Sequence, residues 1–304
     1  MKRGRIIALV VLAILLVGLL FVFLLPREPV YEGRLVSEWI EQLTGAVGSG
    51  AGAVSSHVLP KLVQQKPGKE IVPYLCQTLY RGKSLKDRIY ARLYLKLPPA
   101  LLRKLPPPNP GRDAELRYRA ALILYYLGPD AEKAAPDLTR ALRDENPEVR
   151  RVAASTLGNL GFVAKRSAPG LIALLEDPMT DVRRAALKAL GQVEDDAAVV
   201  VPATAQMLKD TDSGVRTDAA QVLRDLGPKA RTALGALTEA LSDQNDDVFR
   251  FAAMALGKIG PDAKEAVPAL LQALRENRAY SETTIRWALR QIDPLALTKA
   301  TASR

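Results

Sequence analysis

Residues Pro147–Leu160 read PEVRRVAASTLGNL, and this stretch decides the fold because the chain repeats it at a fixed interval. Related segments, called V-R segments here after their Val-Arg pair, begin at Ala114, Thr180, Ser213 and Asp246, so successive copies lie 33 residues apart. Their apolar residues recur at i, i+4, i+7, i+8 and i+11, a spacing that predicts one buried face of a helix. A fixed period of this length predicts a stacked array of repeats.

A second type of segment lies between the V-R segments and keeps the same period. It reads KAAPDLTRALRDEN from Lys133 and EAVPALLQALRENR from Glu265, and we call it the V-P segment. Its proline lies near the predicted helix start, where the missing N–H costs little. The Gly-Pro pairs at Gly128, Gly227 and Gly260 are expected to end each V-R helix with glycine in the left-handed conformation. Neighbouring units must stack, because one helix pair alone cannot bury both of its apolar stripes.

Each unit places an Asp at a turn, then V-R, A-A and A-L-G, then G-P-x-A and the V-P helix. With the motifs in this order, residues 113–289 resemble the short bacterial HEAT repeats, also called PBS-lyase-like HEAT repeats. The resemblance implies an all-α fold, a HEAT-repeat α-solenoid that forms a superhelix of antiparallel helix pairs over residues 113–297. It indicates little about function, since this fold hosts many roles.

The resemblance also implies a structural ladder, in which a turn Asp and an Arg of the V-R helix tie neighbouring repeats together. The matching residues are Asp144, Arg150, Asp177, Arg183, Asp210 and Arg216, and Asp243 continues the aspartate series. Phe249 stands where the next Arg would be, and Arg250 is shifted by one position. These charges are therefore interpreted as structural and not as catalytic.

A curved stack exposes a concave surface, which the V-R helices are expected to line and which commonly binds proteins or peptides. Positions two and six residues after the V-R valine point away from the apolar stripe. The residues predicted to form this surface are Tyr118, Arg151, Arg184, Lys188, Arg250 and Trp287. The sequence does not identify the protein or peptide partner, or the oligomeric state.

The segment Ile6–Leu25 contains twenty residues without a charged or polar side chain. As a helix it would be about 30 Å long, which matches the hydrocarbon core of a bilayer. A cleaved signal peptide is the alternative, but its apolar part is typically ~7–15 residues and ends in small residues, whereas this segment ends FVFLLPREP. We therefore expect one transmembrane helix over residues 6–25, which anchors the chain in the membrane.

The basic tail at residues 1–5 sets the expected orientation of that helix. It carries Lys2, Arg3 and Arg5, while the other flank has Arg27 and Arg34 offset by acidic residues. Positive charge favours the cytoplasmic side. The protein is expected to cross the inner (cell) membrane once, with its N-terminus in the cytoplasm and its folded domain on the extracytoplasmic side.

Residues 26–112 are predicted to form degenerate helical repeats. Val72-Pro73 matches the start of a V-P helix, and Ser84 can cap a second helix. Residues 98–111 contain six prolines, which predict an extended elbow. At the other end of the chain, residues 298–304 are predicted to be a disordered tail.

Trp39 belongs to the segment YEGRLVSEWIEQL, which begins at Tyr31. This segment resembles the one that follows the anchor in membrane-linked bacterial HEAT proteins. Trp39 is expected to cap the first helix pair or, alternatively, to contact the membrane interface.

Positive charge is concentrated between residues 61 and 120. This region holds fourteen Lys and Arg against four Asp and Glu, a net charge of +10 that equals the net charge of the whole chain. The predicted basic patch comprises Lys83, Lys86, Arg88, Arg92, Lys96, Arg103 and Lys104. Its simplest interpretation is a solvated repeat face, and its functional alternative is the binding of anionic lipid, nucleic acid or another anionic polymer. Nucleic acid is the less favoured partner, because DNA would require the domain to be cytoplasmic.

Composition argues against catalysis. His57 and Cys76 are the only histidine and cysteine, which excludes an intrachain disulfide, a cysteine-based zinc site and a multi-histidine metal site. The sequence also lacks a Walker loop, G-x-S-x-G and C-x-x-C. We expect no enzymatic activity and no cofactor. The sequence predicts a membrane-anchored scaffold or protein-binding module, with anionic-polymer or lipid binding through residues 61–120 as the alternative.

Overall fold

A computed structural model of the protein describes residues 29–45, 68–103, 105–193, 197–276 and 282–296. Apart from one short hairpin, the regular structure in these ranges is helical. None of the helices within them has the length and apolar composition needed to cross a bilayer. The predicted transmembrane helix 6–25, the basic tail and the C-terminal tail 298–304 lie outside the described residues.

The chain divides into two compact units after Leu127. We call the described residues up to Leu127 the N-terminal unit and those from Gly128 the C-terminal unit. The elements of the N-terminal unit are β1 (Val30–Tyr31), β2 (Arg34–Leu35), α1 (Val36–Gly45), a 3₁₀ helix (Gly68–Ile71), α2 (Val72–Thr78), α3 (Leu85–Tyr94), α4 (Pro99–Leu102) and α5 (Pro110–Leu127).

The N-terminal unit begins with a tight antiparallel hairpin in which Val30 pairs with Leu35. The two turn residues, Glu32 and Gly33, both have positive φ angles, of 47° and 75°. Positive φ at both central positions defines the turn type that matches the twist of paired strands. The hairpin leads directly into α1, and both α1 and α2 pack against α5.

An aromatic cluster holds the hairpin to this helical layer. The Tyr31 hydroxyl donates a hydrogen bond to Oε2 of Glu70 at 3.0 Å, and the Trp39 indole N–H donates to the Tyr31 carbonyl oxygen at 3.0 Å. The ring centroid of Tyr31 lies 5.3 Å from that of Tyr74 and 5.9 Å from that of Trp39. Burial, with the hydrogen bond and negative charge of Glu70, raises the pKa of Tyr31 to about 12. Trp39 thus packs on the hairpin at the end of the helical layer.

The C-terminal unit alternates V-R and V-P helices along the chain. Its V-R helices are α7 (Pro147–Leu160), α9 (Thr180–Gln192), α11 (Ser213–Leu226), α13 (Asp246–Ile259) and α15 (Glu282–Ile292). Its V-P helices are α6 (Ala135–Ala141), α8 (Ala168–Ala173), α10 (Ala197–Gln206), α12 (Leu234–Ala240) and α14 (Val267–Arg275). Short 3₁₀ helices join them at Gly128–Ala134, Gly161–Ser167, Leu174–Glu176, Met207–Lys209, Gly227–Ala233 and Gly260–Ala266. This order is the helix–turn–helix–turn unit that the 33-residue period predicts.

The glycines that follow α11 and α13 differ from the expected left-handed cap. Gly227 has φ 55° and ψ −127°, and Gly260 has φ 79° and ψ −142°. The φ angles are positive, but the negative ψ angles place these residues outside the left-handed helical region. Glycine reaches this region because it lacks a Cβ atom. The chain enters a 3₁₀ helix directly at each of these glycines.

The V-R helices of the C-terminal unit approach one another to backbone contact. A Cβ atom at Gly158 would lie 2.9 Å from the Ala189 Cα atom, and one at Gly257 would lie 2.9 Å from the Ala288 Cα atom. Such distances exclude a side chain, so the glycine of the A-L-G motif permits close packing. The V-R valines, such as Val149 and Val215, are fully buried beneath this layer. The V-R helices therefore form one continuous layer of the stack.

Candidate binding surface

The ladder arginines each connect two consecutive repeats. Arg150 donates from Nε to Oδ2 of Asp177 at 2.7 Å and from Nη2 to Oδ1 of Asp177 at 3.0 Å. Its Nη1 donates to the backbone oxygen of Asp144 at 2.7 Å. One guanidinium thus binds the side chain of the Asp in the following repeat and the main chain of the Asp in its own repeat. This two-pronged geometry suits arginine and not lysine.

The same contacts recur one period later and again one period after that. Arg183 binds both carboxylate oxygens of Asp210 at 2.8 and 2.9 Å, and Arg216 binds those of Asp243 at 2.7 and 3.1 Å. Each ladder aspartate also accepts a backbone N–H from two residues further on, as Asp210 does from Asp212 at 2.8 Å. The C-terminal unit therefore contains a repeated, largely buried network of charged hydrogen bonds.

Electrostatics within this network favour its charged form. Burial alone would raise the pKa of Asp210, but hydrogen bonds from Arg183 and the Asp212 N–H, with the charges of Arg183 and Arg216, hold it below the ordinary value. The hydrogen bond to Asp243 raises the pKa of Arg216 against the opposing effect of burial. Asp210 and Arg216 therefore both remain ionised at neutral pH.

The ladder changes after Arg216. Phe249 occupies the next arginine position and is fully buried, while Arg250 turns outward to bind Asp247 at 2.6 Å. One period before Arg150 lies Arg117, which is also buried and donates to the Arg81 backbone oxygen at 2.8 Å. Arg117 was not predicted as a ladder residue, although its spacing of 33 residues from Arg150 could have identified it.

The structure brings three of the predicted surface residues into one cavity. Arg151, Arg184 and Lys188 line a depression of about 420 Å³ between α7 and α9. The other lining residues are Glu148, Ser155, Asp181 and Ala185. Four of the seven lining residues occupy positions that were predicted to be exposed, two or six residues after the V-R valine. They are Arg151, Ser155, Arg184 and Lys188.

Charges in this cavity are unequally paired. Arg151 binds Glu148 within α7 at 2.7 Å. Arg184 binds the buried carboxylate of Asp218 at 2.7 Å, and this hydrogen bond raises the pKa of Arg184. Lys188 lies 3.6 Å from the same carboxylate, beyond hydrogen-bond distance. Two cations that line the cavity therefore share the carboxylate of Asp218, which lies on α11. The sequence did not indicate Asp218, because its contact with Arg184 depends on how far apart α9 and α11 lie.

The other predicted surface residues lie outside the cavity. Arg250 and Trp287 lie on α13 and α15, and Tyr118 lies on α5 in the N-terminal unit. Arg224 and Arg250 both stack on the ring of Phe251, at 4.8 and 5.1 Å from its centroid. Trp287 is 37% exposed. Phe251, a position that sequence reasoning missed, and Trp287 thus contribute aromatic side chains to the V-R layer.

The predicted basic patch is arranged around α3 in the N-terminal unit. Lys86, Arg88 and Arg92 lie on the helix, and Lys83 lies in the turn before it. Lys96 and Arg103 follow and are exposed, whereas Lys104 lies outside the described residues. Across the described part of the chain, no group of three or more His, Cys, Asp or Glu side chains is placed to hold a metal ion; His57 is not among those residues.

Comparison with known proteins identifies the class of this array. A family model for HEAT repeats matches residues 109–178, 168–253 and 201–290, which together span more than half of the chain. The helix pairs and ladder described above define an all-α repeat solenoid. The chain belongs to the HEAT-repeat family.

Two solved structures with a similar fold are engineered proteins. One crystal structure of an engineered protein shares 20% identity, covers 81% of this chain and 71% of its own, and has a TM-score of 0.50. A designed armadillo repeat protein in complex with the peptide (KR)4 shares 16% identity over 73% of this chain and 99% of its own, with a TM-score of 0.49. At these identities the likeness concerns the fold alone. No curated protein matches the chain.

Proposed function

We propose that this protein is a non-catalytic scaffold whose C-terminal unit binds a segment of another protein on the layer of V-R helices. The observation that carries this proposal is the cavity between α7 and α9, with its unequal pairing of charges. Binding sites combine a concave surface with a small number of specifically placed polar groups. This cavity has both properties.

The cavity favours a partner that carries a carboxylate. Among the described residues, Lys188 makes no hydrogen bond, and its side chain is 57% exposed. A carboxylate entering the cavity would bind its ammonium group directly and relieve the sharing of Asp218. Further along the same layer, Phe251 and Trp287 offer aromatic surface for apolar side chains. An extended segment with acidic and apolar residues would use both regions.

We further propose that residues 6–25 anchor the protein in the cell membrane, with the N-terminus in the cytoplasm and both units on the opposite side. The support is the uninterrupted apolar sequence and the basic tail that precedes it. We assign the repeats to the short, PBS-lyase-like type because their 33-residue period and A-L-G and G-P-x-A motifs match that type. Reporter fusions to the C-terminus test the orientation, since the proposal expects activity only from a reporter that functions outside the cytoplasm.

Peptide selection tests the binding proposal. A random peptide library would be selected on the full-length protein held in lipid nanodiscs, and the recovered peptides would be measured by fluorescence anisotropy. We expect acidic residues to be enriched, and Lys188→Met to weaken binding about tenfold, which is about 1.4 kcal/mol. Ser155→Trp should abolish binding by filling the cavity.

The matched control is Lys229→Met, which removes an exposed cation from a 3₁₀ helix outside the V-R layer. It should leave the affinity unchanged. Peptides that bind equally well to the Lys188→Met and Ser155→Trp proteins would contradict the proposal, as would a selection that yields no binding peptide.

A further inference from the structure

Helix α3 presents one face that mixes aliphatic and cationic side chains. At about 100° per residue, Leu85, Arg88, Ile89 and Arg92 fall within about 100° of the helix circumference. All four are exposed, and Leu85 is 68% exposed. We call these four residues the α3 face. Its composition is unusual for a solvated helix, because large aliphatic side chains alternate with arginines.

The surface continues beyond the end of the helix. Leu95 and Lys96 lie in the following turn, and Leu101 and Arg103 lie in and directly after α4. All four are exposed, and Leu95 is the most exposed large apolar residue of the described chain at 85%. The pairing of an aliphatic residue with a cation is thus repeated along this stretch.

The opposite side of α3 is fixed to its surroundings. Tyr90 is buried and donates from its hydroxyl to the Pro106 carbonyl oxygen at 2.6 Å, and Tyr94 donates to the Leu102 carbonyl oxygen at 3.3 Å. A reciprocal capping box between Ser84 and Asp87 closes the N-terminus of the helix. The helix is therefore held in place, and the α3 face is its outer side.

Acidic residues are scarce around the cations of this region. Asp87 is the only acidic residue between residues 83 and 104, against seven Lys and Arg. It is committed to the capping box, where it accepts hydrogen bonds from the Ser84 N–H and hydroxyl. Among the described residues, Arg88 and Arg92 form no ion pair and no hydrogen bond through their side chains. The face therefore offers fixed positive charge together with exposed hydrocarbon.

Nucleic acid and an anionic lipid surface both match the positive charge of the α3 face, but only a lipid surface also matches its aliphatic side chains. Nucleic acid is bound by cations together with aromatic side chains that stack on bases, but the ring of Tyr90 is turned inward. Leu85 and Ile89 would gain nothing against a phosphate backbone. At a lipid surface, aliphatic side chains enter the acyl boundary while arginines contact anionic headgroups.

We propose that the α3 face lies on an anionic lipid surface, with Leu85 and Ile89 inserted between the headgroups. This proposal is independent of peptide binding by the C-terminal unit.

The test places a reporter on the face itself, so that attachment of the chain by residues 6–25 does not mask the result. The full-length chain, carrying Cys76→Ser and Ile89→Cys with a nitroxide label, is reconstituted into phosphatidylcholine vesicles with and without phosphatidylglycerol. With phosphatidylglycerol present, we expect the label to become accessible to oxygen and protected from a water-soluble nickel chelate. A label at Lys229→Cys in the C-terminal unit is the control and should remain in water. Equal accessibility of the Ile89→Cys label in both kinds of vesicle overturns the proposal.

Charge and apolar variants separate the two contributions. Combined Arg88→Glu and Arg92→Glu should return the label to water, since each cation near an anionic surface strengthens binding about fivefold. The serine substitution Leu85→Ser should reduce protection without changing net charge. Binding of a DNA oligonucleotide is measured in detergent for the same proteins. If the Arg88→Glu and Arg92→Glu substitutions abolish DNA binding and the label reports no lipid contact, the face binds nucleic acid and the proposal is wrong. If the chain does not float with neutral vesicles, the proposal of a membrane anchor at residues 6–25 is wrong, but the proposal for the α3 face is unaffected. In that case, flotation with anionic vesicles measures the contact between the α3 face and anionic lipid.

Discussion

The two units of this protein are stabilised in different ways, although both are built from helix pairs. The C-terminal unit makes the same two-repeat arginine contact three times, with guanidinium side chains 13–18% exposed. Among the described residues of the N-terminal unit, Arg81 and Asp113 form an ion pair at 2.8 Å in which both side chains are about a quarter exposed. The described part of the N-terminal unit also relies on contacts that do not recur along the chain, such as the aromatic cluster around Tyr31.

The difference shows what a strict sequence period provides. Where residues recur every 33 positions, one favourable contact is multiplied along the stack. Where the period is lost, each contact must be provided separately. The two tryptophans make the comparison measurable, because Trp39 lies in the N-terminal unit and Trp287 lies in the C-terminal unit. A Trp39→Phe protein reports unfolding of the C-terminal unit, and a Trp287→Phe protein reports the N-terminal unit.

The largest expected effect comes from breaking one rung of the ladder. Asp177→Ala leaves the Arg150 guanidinium buried without its carboxylate. Loss of one partner of a buried, hydrogen-bonded ion pair typically costs about 3–5 kcal/mol. We expect the free energy of unfolding of the C-terminal unit to fall by that amount in urea denaturation followed by Trp287 fluorescence.

Asp247→Ala is the matched control, because Asp247 pairs with Arg250 at the surface of the same layer. Exposed pairs of this kind are worth about 0.3–0.5 kcal/mol. The N-terminal unit, read through Trp39, should not respond to either change. Similar losses for Asp177→Ala and Asp247→Ala would show that the ladder does not stabilise the C-terminal unit.

A smaller effect should separate the units by pH. The pKa of Asp210 is lower in the folded state, so its contribution is present above the ordinary Asp value of about 3.9 and is lost as the pH falls through the folded value. The pKa of Tyr31 is raised to about 12, so its contribution is present below pH ~10 and is lost as the pH rises towards 12. The C-terminal unit should therefore weaken in acid and the N-terminal unit in alkali.

This contrast is measured as the difference in unfolding free energy between the wild-type protein and single variants. The difference for Asp210→Asn should shrink as the pH drops below 4, and the difference for Tyr31→Phe should shrink from pH 10 upwards. Differences that stay constant across these windows would exclude the proposed contribution of either group.

The smallest expected effect concerns a buried hydroxyl group that does not belong to the ladder. The hydroxyl oxygen of Thr204 in α10 is buried and has no hydrogen-bond partner among the residues that the structure describes. An unsatisfied buried hydroxyl is destabilising, and Thr204→Val replaces it with a methyl group of similar shape. We expect a gain of about 1 kcal/mol in the C-terminal unit by the same urea measurement. Thr238→Val is the control and should cost stability, since the Thr238 hydroxyl donates to the Leu234 carbonyl oxygen at 2.8 Å. A loss of stability on Thr204→Val would contradict this account of the site.

Sequence could predict the repeated features because spacing alone determines them. The V-R valines, the ladder aspartates and the surface positions Arg151, Arg184 and Lys188 all follow from helical geometry and a constant period. Contacts between elements could not be predicted in the same way. The sequence placed Arg184 on the surface, but its bond to Asp218 depends on the distance between two helices.

Local backbone geometry was also beyond the sequence pattern. Gly227 was expected in the left-handed region, yet it adopts a positive φ with a negative ψ and leads into a 3₁₀ helix. Likewise, the basic residues of α3 were recognised from composition, but composition did not show that Leu85 and Ile89 share their exposed face. These features arise from packing, which a periodic pattern does not encode.

The interchangeability of the repeats is tested most directly by removing one repeat in register. Deletion of residues 187–219 joins Ala186 to Ala220, and it leaves a complete V-R helix in which Arg183 can bind Asp243. Deletion of residues 187–217 retains two more residues and rotates the following helix by about 200°, so that Gln221 and Arg224 fall on the buried stripe. Circular dichroism of the urea transition should show a helical, cooperatively unfolding protein for the first deletion and a loss of cooperativity for the second. Equal behaviour of the two deletion proteins would contradict a stack of equivalent 33-residue repeats.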